Sequence, residues 1–202
     1  MAATSPVAQH GNEWSLHVDF SAVPLTGEQF YRLSTDNPEL RLELTAEGEL
    51  ILMSPTGAKT GHRNSELNYQ LVAWAKADGR GLTFDSSTVF SLPNGAKRSP
   101  DASWVQRERW DTLSEDEQEK FAPICPDFVA ELRSPSDTLT TLQAKMREYL
   151  DNGAKLGWLL DPIEKRVYIY RQGEDVECLE EPQSIDGENV LAGLVLDLHE
   201  IV

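Results

Sequence analysis

The sequence predicts an α/β protein, a central mixed β-sheet flanked by helices. Three observations lead there. Short stretches such as "LRLEL", "ELILM" and "DFVAELR" alternate apolar and polar residues with period two, as half-buried strands do. Two longer stretches, 62–79 and 136–153, carry apolar residues at spacings of three and four, the mark of helices lying on a core. Residues 127–161 read strand–helix–strand, a unit whose two strands run parallel through a right-handed crossover. The strands before it follow one another closely enough for an antiparallel meander, so the sheet is mixed.

Each element can be justified in order. Residues 1–12 show no periodicity and are expected to form a mobile tail, with 13–202 as one domain. "WSLHVDFS" reads as a short strand. "LTGEQFYRLSTDNPEL" reads as a helix, because Thr26 and Gln29 have capping-box spacing and Phe30 and Leu33 share a face. "LRLELTAEGELILMSP" alternates on both sides of "AEG" and is an antiparallel hairpin. After the loop "SPTGAKTG", a helix is expected to start at His62 and to stop at Gly79, its stripe being Leu67, Leu71 and Trp74. "LTFDSSTVFSLP" and "SPDASWVQ" are strands separated by "NGAK". The acidic segment 107–126 is a helical or looping insertion. "DFVAELRS" is a strand, and the helix after it is capped by Ser136 or Asp137 and ended by Gly153. "AKLGWLLDP" and "KRVYIYRQ" form a strand pair around "DPIEK", and the last residues add a strand or a helix.

Composition narrows the function classes. No apolar run approaches the roughly 18 residues of a membrane span, and the start lacks the basic and apolar regions of a secretory signal. A cytoplasmic protein without membrane partners is expected. Cys125 and Cys178 are read as reduced thiols, and four scattered histidines give little basis for a histidine-built zinc site. The formal charge of −16 weighs against nucleic acid, whose binding normally rests on Lys and Arg. It suits solubility without any partner equally well.

Period-two alternation puts Val129, Glu131 and Arg133 on one strand face and Phe128, Ala130 and Leu132 on the other. Asp101 opens its strand and Glu131 stands near the end of its own. If the two strands pair antiparallel, their carboxylates converge. Oxygen-only ligands suit a hard ion, and Mg²⁺ commonly takes one or two carboxylates plus waters and phosphate oxygens. Such an ion polarises a phosphodiester and helps generate hydroxide. For the accompanying cation two residues compete. Arg133 stays charged and could clamp a phosphate. Lys145, beside the apolar stripe of the next helix, can lay its stem along the sheet. The plainer readings are a strand-face salt bridge for Arg133 and a solvated helix lysine for Lys145.

"SPDASWV", "PDFVAELRSPSDTLTTLQAKMREYLDNGAKLGWLLDP" and "RVYIYR" together resemble the Uma2 family, bacterial proteins classed as endonucleases in the PD-(D/E)XK nuclease superfamily. The resemblance runs from about Leu25 to the C-terminus and is most specific over Pro126–Pro162. It implies a restriction-endonuclease-like core of order α-β-β-β-α-β, extended by the N-terminal helix and the β-hairpin. It also implies Mg²⁺-dependent hydrolysis of phosphodiesters in DNA, with Mn²⁺ as substitute. Asp101 and Glu131 match the metal-binding acids, and Lys145 stands where the family's lysine has moved to the helix. Arg133 occupies the superfamily's usual lysine position and becomes the substrate-binding candidate. Glu43 matches a family glutamate that either faces the site or is an alternating strand residue. His62 is read as a cap or hydrogen-bonding residue, and Glu66 as a further ligand or an exposed helix carboxylate. A homodimer is compatible with the resemblance. Two other functions stay open: an inactive nuclease-fold module binding proteins through its acidic surface, and a hydrolase of small phosphoesters.

Overall fold

The computed structural model describes residues 14–202, so the tail expected over 1–12 lies outside the described residues. Strand β1 (Ser15–Asp19) leads into helix α1 (Gly27–Asp36), whose capping box is present: Thr26 Oγ1 accepts from the Gln29 amide and Gln29 Oε1 from the Thr26 amide. Strands β2 (Arg41–Leu44) and β3 (Glu49–Met53) make the hairpin, turned by Gly48 at φ +91°. Helix α2 (Ala58–Asp78) starts at Ala58 rather than His62. Nothing between Pro55 and His62 forbids helix, and one glycine inside it costs only about 1 kcal/mol. Gly79, at φ +74°, ends it as expected.

Strands β4 (Gly81–Asp85), β5 (Phe90–Ser91), β6 (Lys97–Arg98) and β7 (Ala102–Gln106) follow. The stretch expected as one strand from Leu82 to Pro93 is cut in two. Asp85 accepts from the amide and hydroxyl of Ser87, which turns the chain out of the sheet. The acidic insertion holds two short helices, α3 (Arg107–Trp110) and α4 (Glu115–Glu119). Then come β8 (Phe128–Leu132), α5 (Leu139–Asp151), β9 (Leu156–Asp161), β10 (Arg166–Arg171), β11 (Glu177–Glu180), β12 (Ser184–Asp186) and β13 (Val195–Asp197). Thr138, not Ser136 or Asp137, caps α5, its hydroxyl accepting from the Thr141 amide. The Asp137 carboxylate instead accepts from the Ser134 amide, closing the turn before the helix.

The main sheet has the order β11-β10-β9-β8-β7-β4. Strands β8 and β9 are parallel and the other neighbours antiparallel, so the sheet is mixed. Along the chain, α2, β4, β7, β8, α5 and β9 give the order α-β-β-β-α-β. The hairpin belongs to a separate antiparallel sheet, β1-β3-β2-β6-β5.

The alternation in β8 sorts two cores. Phe128, Ala130 and Leu132 bury against Leu67, Leu71 and Ala75 of α2, with Trp104 and Trp158 between. Val129 and Leu159 bury against Leu142, Met146 and Tyr149 of α5. Helix α5 lies close to β9: a Cβ added at Gly157 would stand 2.5 Å from Met146 Cε. That tight seat fixes where the polar side chains of α5 can reach.

Candidate active site

Strands β7 and β8 pair with Ala102 opposite Ala130. One step further, in the same antiparallel register, Asp101 comes beside Glu131. The Asp101 carboxylate reaches across the strands, its Oδ2 accepting from the Leu132 amide at 2.8 Å. Helix α2 holds Asp101 from the other side. Asn64 Nδ2 donates to its Oδ1 at 3.2 Å and Asn68 Nδ2 to its main-chain oxygen at 3.0 Å. These asparagines are four apart and share a helix face.

Glu131 is only 4% exposed. Its Oε1 accepts from Lys145 Nζ at 2.8 Å and from the Tyr149 hydroxyl at 3.0 Å. Lys145 and Tyr149, again four apart, project from the same face of α5. Lys145 Nζ also donates to Glu43 Oε1 at 2.8 Å. Glu43 comes from the second sheet, where the β2–β6 register sets it beside Arg98. It accepts from Arg98 Nη1 at 3.1 Å and from the Ser99 amide at 2.9 Å. Arg98 Nε donates in turn to Glu148 at 2.6 Å. The result is a row of alternating charge, Glu148–Arg98–Glu43–Lys145–Glu131, with Asp101 beyond it. A cavity of about 110 Å³ opens against its Asp101 end, lined by Asp101, Glu131, Lys145 and Asn64 among others.

The row divides the carboxylates electrically. Burial pushes the Glu131 carboxyl up to about 8, with Asp101 and Glu43 adding to the rise and Lys145 opposing it. Burial also raises Asp101, against the Leu132 amide and Lys145. Burial acts on Glu43 as well, but Lys145 and Arg98 together outweigh it and hold Glu43 below the usual carboxylate range. Burial disfavours the Lys145 ammonium, yet Glu131 and Glu43 outweigh that and keep it firmly charged. Tyr149 is driven up by burial and by the same two glutamates, so it stays a hydrogen-bond donor.

Of the residues singled out from the sequence, the structure brings Asp101, Glu131 and Lys145 together, with Glu43 behind the lysine. Arg133 is elsewhere. Its Nη1 donates to Asp161 Oδ2 at 2.7 Å, Asp161 is fully buried, and Arg133 is not part of the cavity wall. His62 and Glu66 stand about 200° around α2 from Thr60 and Asn64, which do line the cavity. They gather instead with Glu200 at the surface, their ligand atoms within 4.8 Å of one another. Asn64, Arg98, Glu148 and Tyr149 had not been singled out as site residues. Only Asn64 leaves a sequence signal, an amide pair at helical spacing beside an apolar stripe.

The sequence pattern of the Uma2 family, described as "Putative restriction endonuclease", matches residues 28–199. The chain belongs to the Uma2 family. Among solved structures, the Uma2 chain is similar to one described as "a putative nuclease belonging to DUF820 from Anabaena variabilis ATCC 29413". The TM-score is 0.73 at 23% identity, over 88% of this chain and 97% of that one, which shows a shared fold. No curated protein sequence matches. Among the described residues, no helix is long and apolar enough to cross a membrane.

Proposed function

We propose that this Uma2 chain is a divalent-metal-dependent endonuclease that hydrolyses phosphodiesters of DNA, using Mg²⁺, with Mn²⁺ as substitute. The observation that carries the reading is the meeting of Asp101, Glu131 and Lys145, from two strands and a helix, at one cavity. The donors suit a hard cation. Besides the two carboxylates, Asn64 Oδ1 is buried without a hydrogen-bond partner among the described residues, and Asn64 lines the same cavity. An orphaned carbonyl oxygen beside two carboxylates is an oxygen ligand set. Asp101, Glu131 and Asn64 would hold the ion, which when bound supplies Lewis-acid polarisation of the phosphoryl group and a more acidic water.

The other side chains do the positioning. Lys145 holds a fixed positive charge at the cavity edge, where it can stabilise charge developing on a phosphoryl oxygen. Glu43, anchored by Arg98 and the Ser99 amide, fixes the lysine stem, so the ammonium needs little reorganisation. Tyr149 donates to Glu131 Oε1 and orients that carboxylate.

Manganese binding followed by electron paramagnetic resonance, together with Mg²⁺-dependent cleavage of DNA, tests this. Asp101→Asn is expected to lose both by at least about 100-fold, the scale of losing one strong electrostatic group. Asn keeps an acceptor for the Leu132 amide, so the urea midpoint stays near that of the parent. A variant that cleaves like the parent refutes the site. A parent that neither binds manganese nor cleaves refutes the function.

A further inference from the structure

Two openings lead to Lys145, and they differ in charge. One is a groove of about 720 Å³ between α5 and the hairpin, whose walls include Glu43, Glu47, Glu49, Asp137, Glu148 and Asp151. Of its basic residues, Arg98 and Lys145 are already paired with carboxylates, and the exposed Arg147 stands against those six acids. A polyanion is repelled from that side. The other opening is the mouth of the 110 Å³ cavity, at the starts of β1 and β2 and the end of β3, with three acids, Asp101, Glu131 and Asp137, on its wall. There Arg41 is the cation of the wall whose guanidinium meets only neutral acceptors among the described residues, Ser86 O at 2.8 Å and Thr56 Oγ1 at 3.2 Å. Its charge is not cancelled by an acid.

Trp14 stands on the same rim and is 40% exposed. Its backbone is tied to the end of β3 by reciprocal bonds, Trp14 N to Ser54 Oγ and Ser54 N to Trp14 O, both 2.9 Å. Ser15, its neighbour, and Arg41 both lie opposite Met53, one on each side. Two strand spacings therefore separate them, about 10 Å. Trp14, 40% exposed, and Arg41, with its uncancelled charge, thus both line the same cavity.

From this we infer that the substrate is a single strand of nucleic acid, with an unpaired base stacked on Trp14 and an adjoining phosphate held by Arg41. The inference rests on the nuclease reading of the cavity. Stacking is available to an unpaired base and not to one already stacked on both faces within a duplex. It also adds affinity without requiring a basic surface, which a chain of charge −16 lacks. A duplex, bound mainly by phosphate contacts, finds few here.

The test uses the full chain with labelled oligothymidylate, oligouridylate and a matched DNA duplex. Binding is read by anisotropy in EDTA and cleavage by steady-state kinetics with Mg²⁺. Single strands are expected to bind and react at least about tenfold better than duplex, and the two oligomers separate DNA from RNA as the source. Trp14→Ala should raise Kd and KM about 5- to 150-fold with little change in kcat, and Trp14→Phe should restore most of it. Arg41→Gln should lower the salt slope of binding by about 0.7. Equal preference for duplex, or an unchanged Kd in Trp14→Ala with an unchanged urea midpoint, overturns the inference. If the parent cleaves nothing, the nuclease reading fails, and the EDTA binding arm still decides: a Trp14-dependent single-strand Kd upholds the binding site, and no binding overturns it.

Discussion

Replacing Lys145 by methionine removes the centre of the charge row while keeping much of the stem's volume. Two buried carboxylates then lose a 2.8 Å partner, Glu43 Oε1 and Glu131 Oε1. Glu43 retains Arg98 and the Ser99 amide, so its loss falls at the lower end of the 3–5 kcal/mol typical of a broken buried pair, about 3 kcal/mol at pH 7. Glu131 makes the loss depend on pH. Its folded-state pKa of about 8 lies above the unfolded value near 4.3. Between those values the folded chain holds one proton more, so stability falls as pH rises, by about 1.4 kcal/mol per unit, and levels off above pH 8. Without Lys145 the ionised Glu131 loses its main support and titrates higher, so the decline continues past pH 8. The difference between parent and variant should therefore grow to about 4–5 kcal/mol by pH 9. Urea unfolding of the metal-free proteins at pH 7, 8 and 9 measures it. A penalty below about 1 kcal/mol, or one that does not change with pH, would show that Lys145 does not neutralise this pair.

Two further predictions bear on the ligands and on Arg133. If Glu131 binds the cation, its proton competes, so apparent manganese affinity should rise about tenfold per pH unit from 6 to 8 and then flatten, the direction set by its raised pKa. An affinity independent of pH over that range argues against Glu131 as a ligand. Arg133→Met should destabilise the chain by about 3 kcal/mol, because fully buried Asp161 keeps only the Ile163 and Glu164 amides, while KM stays within about twofold. A tenfold rise in KM at unchanged stability would restore Arg133 as a phosphate contact.

What could be read in the sequence follows from how local its cause is. The approach of Asp101 and Glu131 needs only two neighbouring antiparallel strands and period-two alternation, and both are written in "PDASWV" and "DFVAELR". Lys145 needs only the helical stripe that seats α5. The arrangement around Glu43 depends on something longer-ranged, the packing of a second sheet against α5. No periodicity within "RLEL" tells which face meets that helix. Arg98 sits in a two-residue strand, too short to show a period at all. Arg133 was ambiguous for a different reason. It follows β8, and the parallel register with β9 carries it on to Asp161, a partner 28 residues away. The start of α2 is not legible because glycine and lysine in "TGAKTG" look like loop chemistry, although their backbone can enter a helix at small cost.

The acidity of the chain and a phosphate substrate stop conflicting once the charges around the cavity are counted. Glu148, Glu43, Glu131 and Asp101 face two cations, Arg98 and Lys145. With all ionised, the row is short of two positive charges, and the cavity wall adds one charge of each sign, Asp137 and Arg41, which leaves the deficit at two. The chain's own means of narrowing the gap is protonation of its buried acids, Asp101 being raised and Glu131 keeping its proton up to about pH 8. On the nuclease reading, a divalent ion closes it fully and lets a phosphate sit at Asp101, whereas the rim contacts inferred at Trp14 and Arg41 do not wait for the metal. On that reading the site is built first to attract a cation, and phosphate follows the metal. Overall charge then decides little about whether a phosphodiester can reach Asp101; it bears on how many further phosphates the surface can hold, and so on whether an extended duplex or a short single-stranded stretch is the better guest.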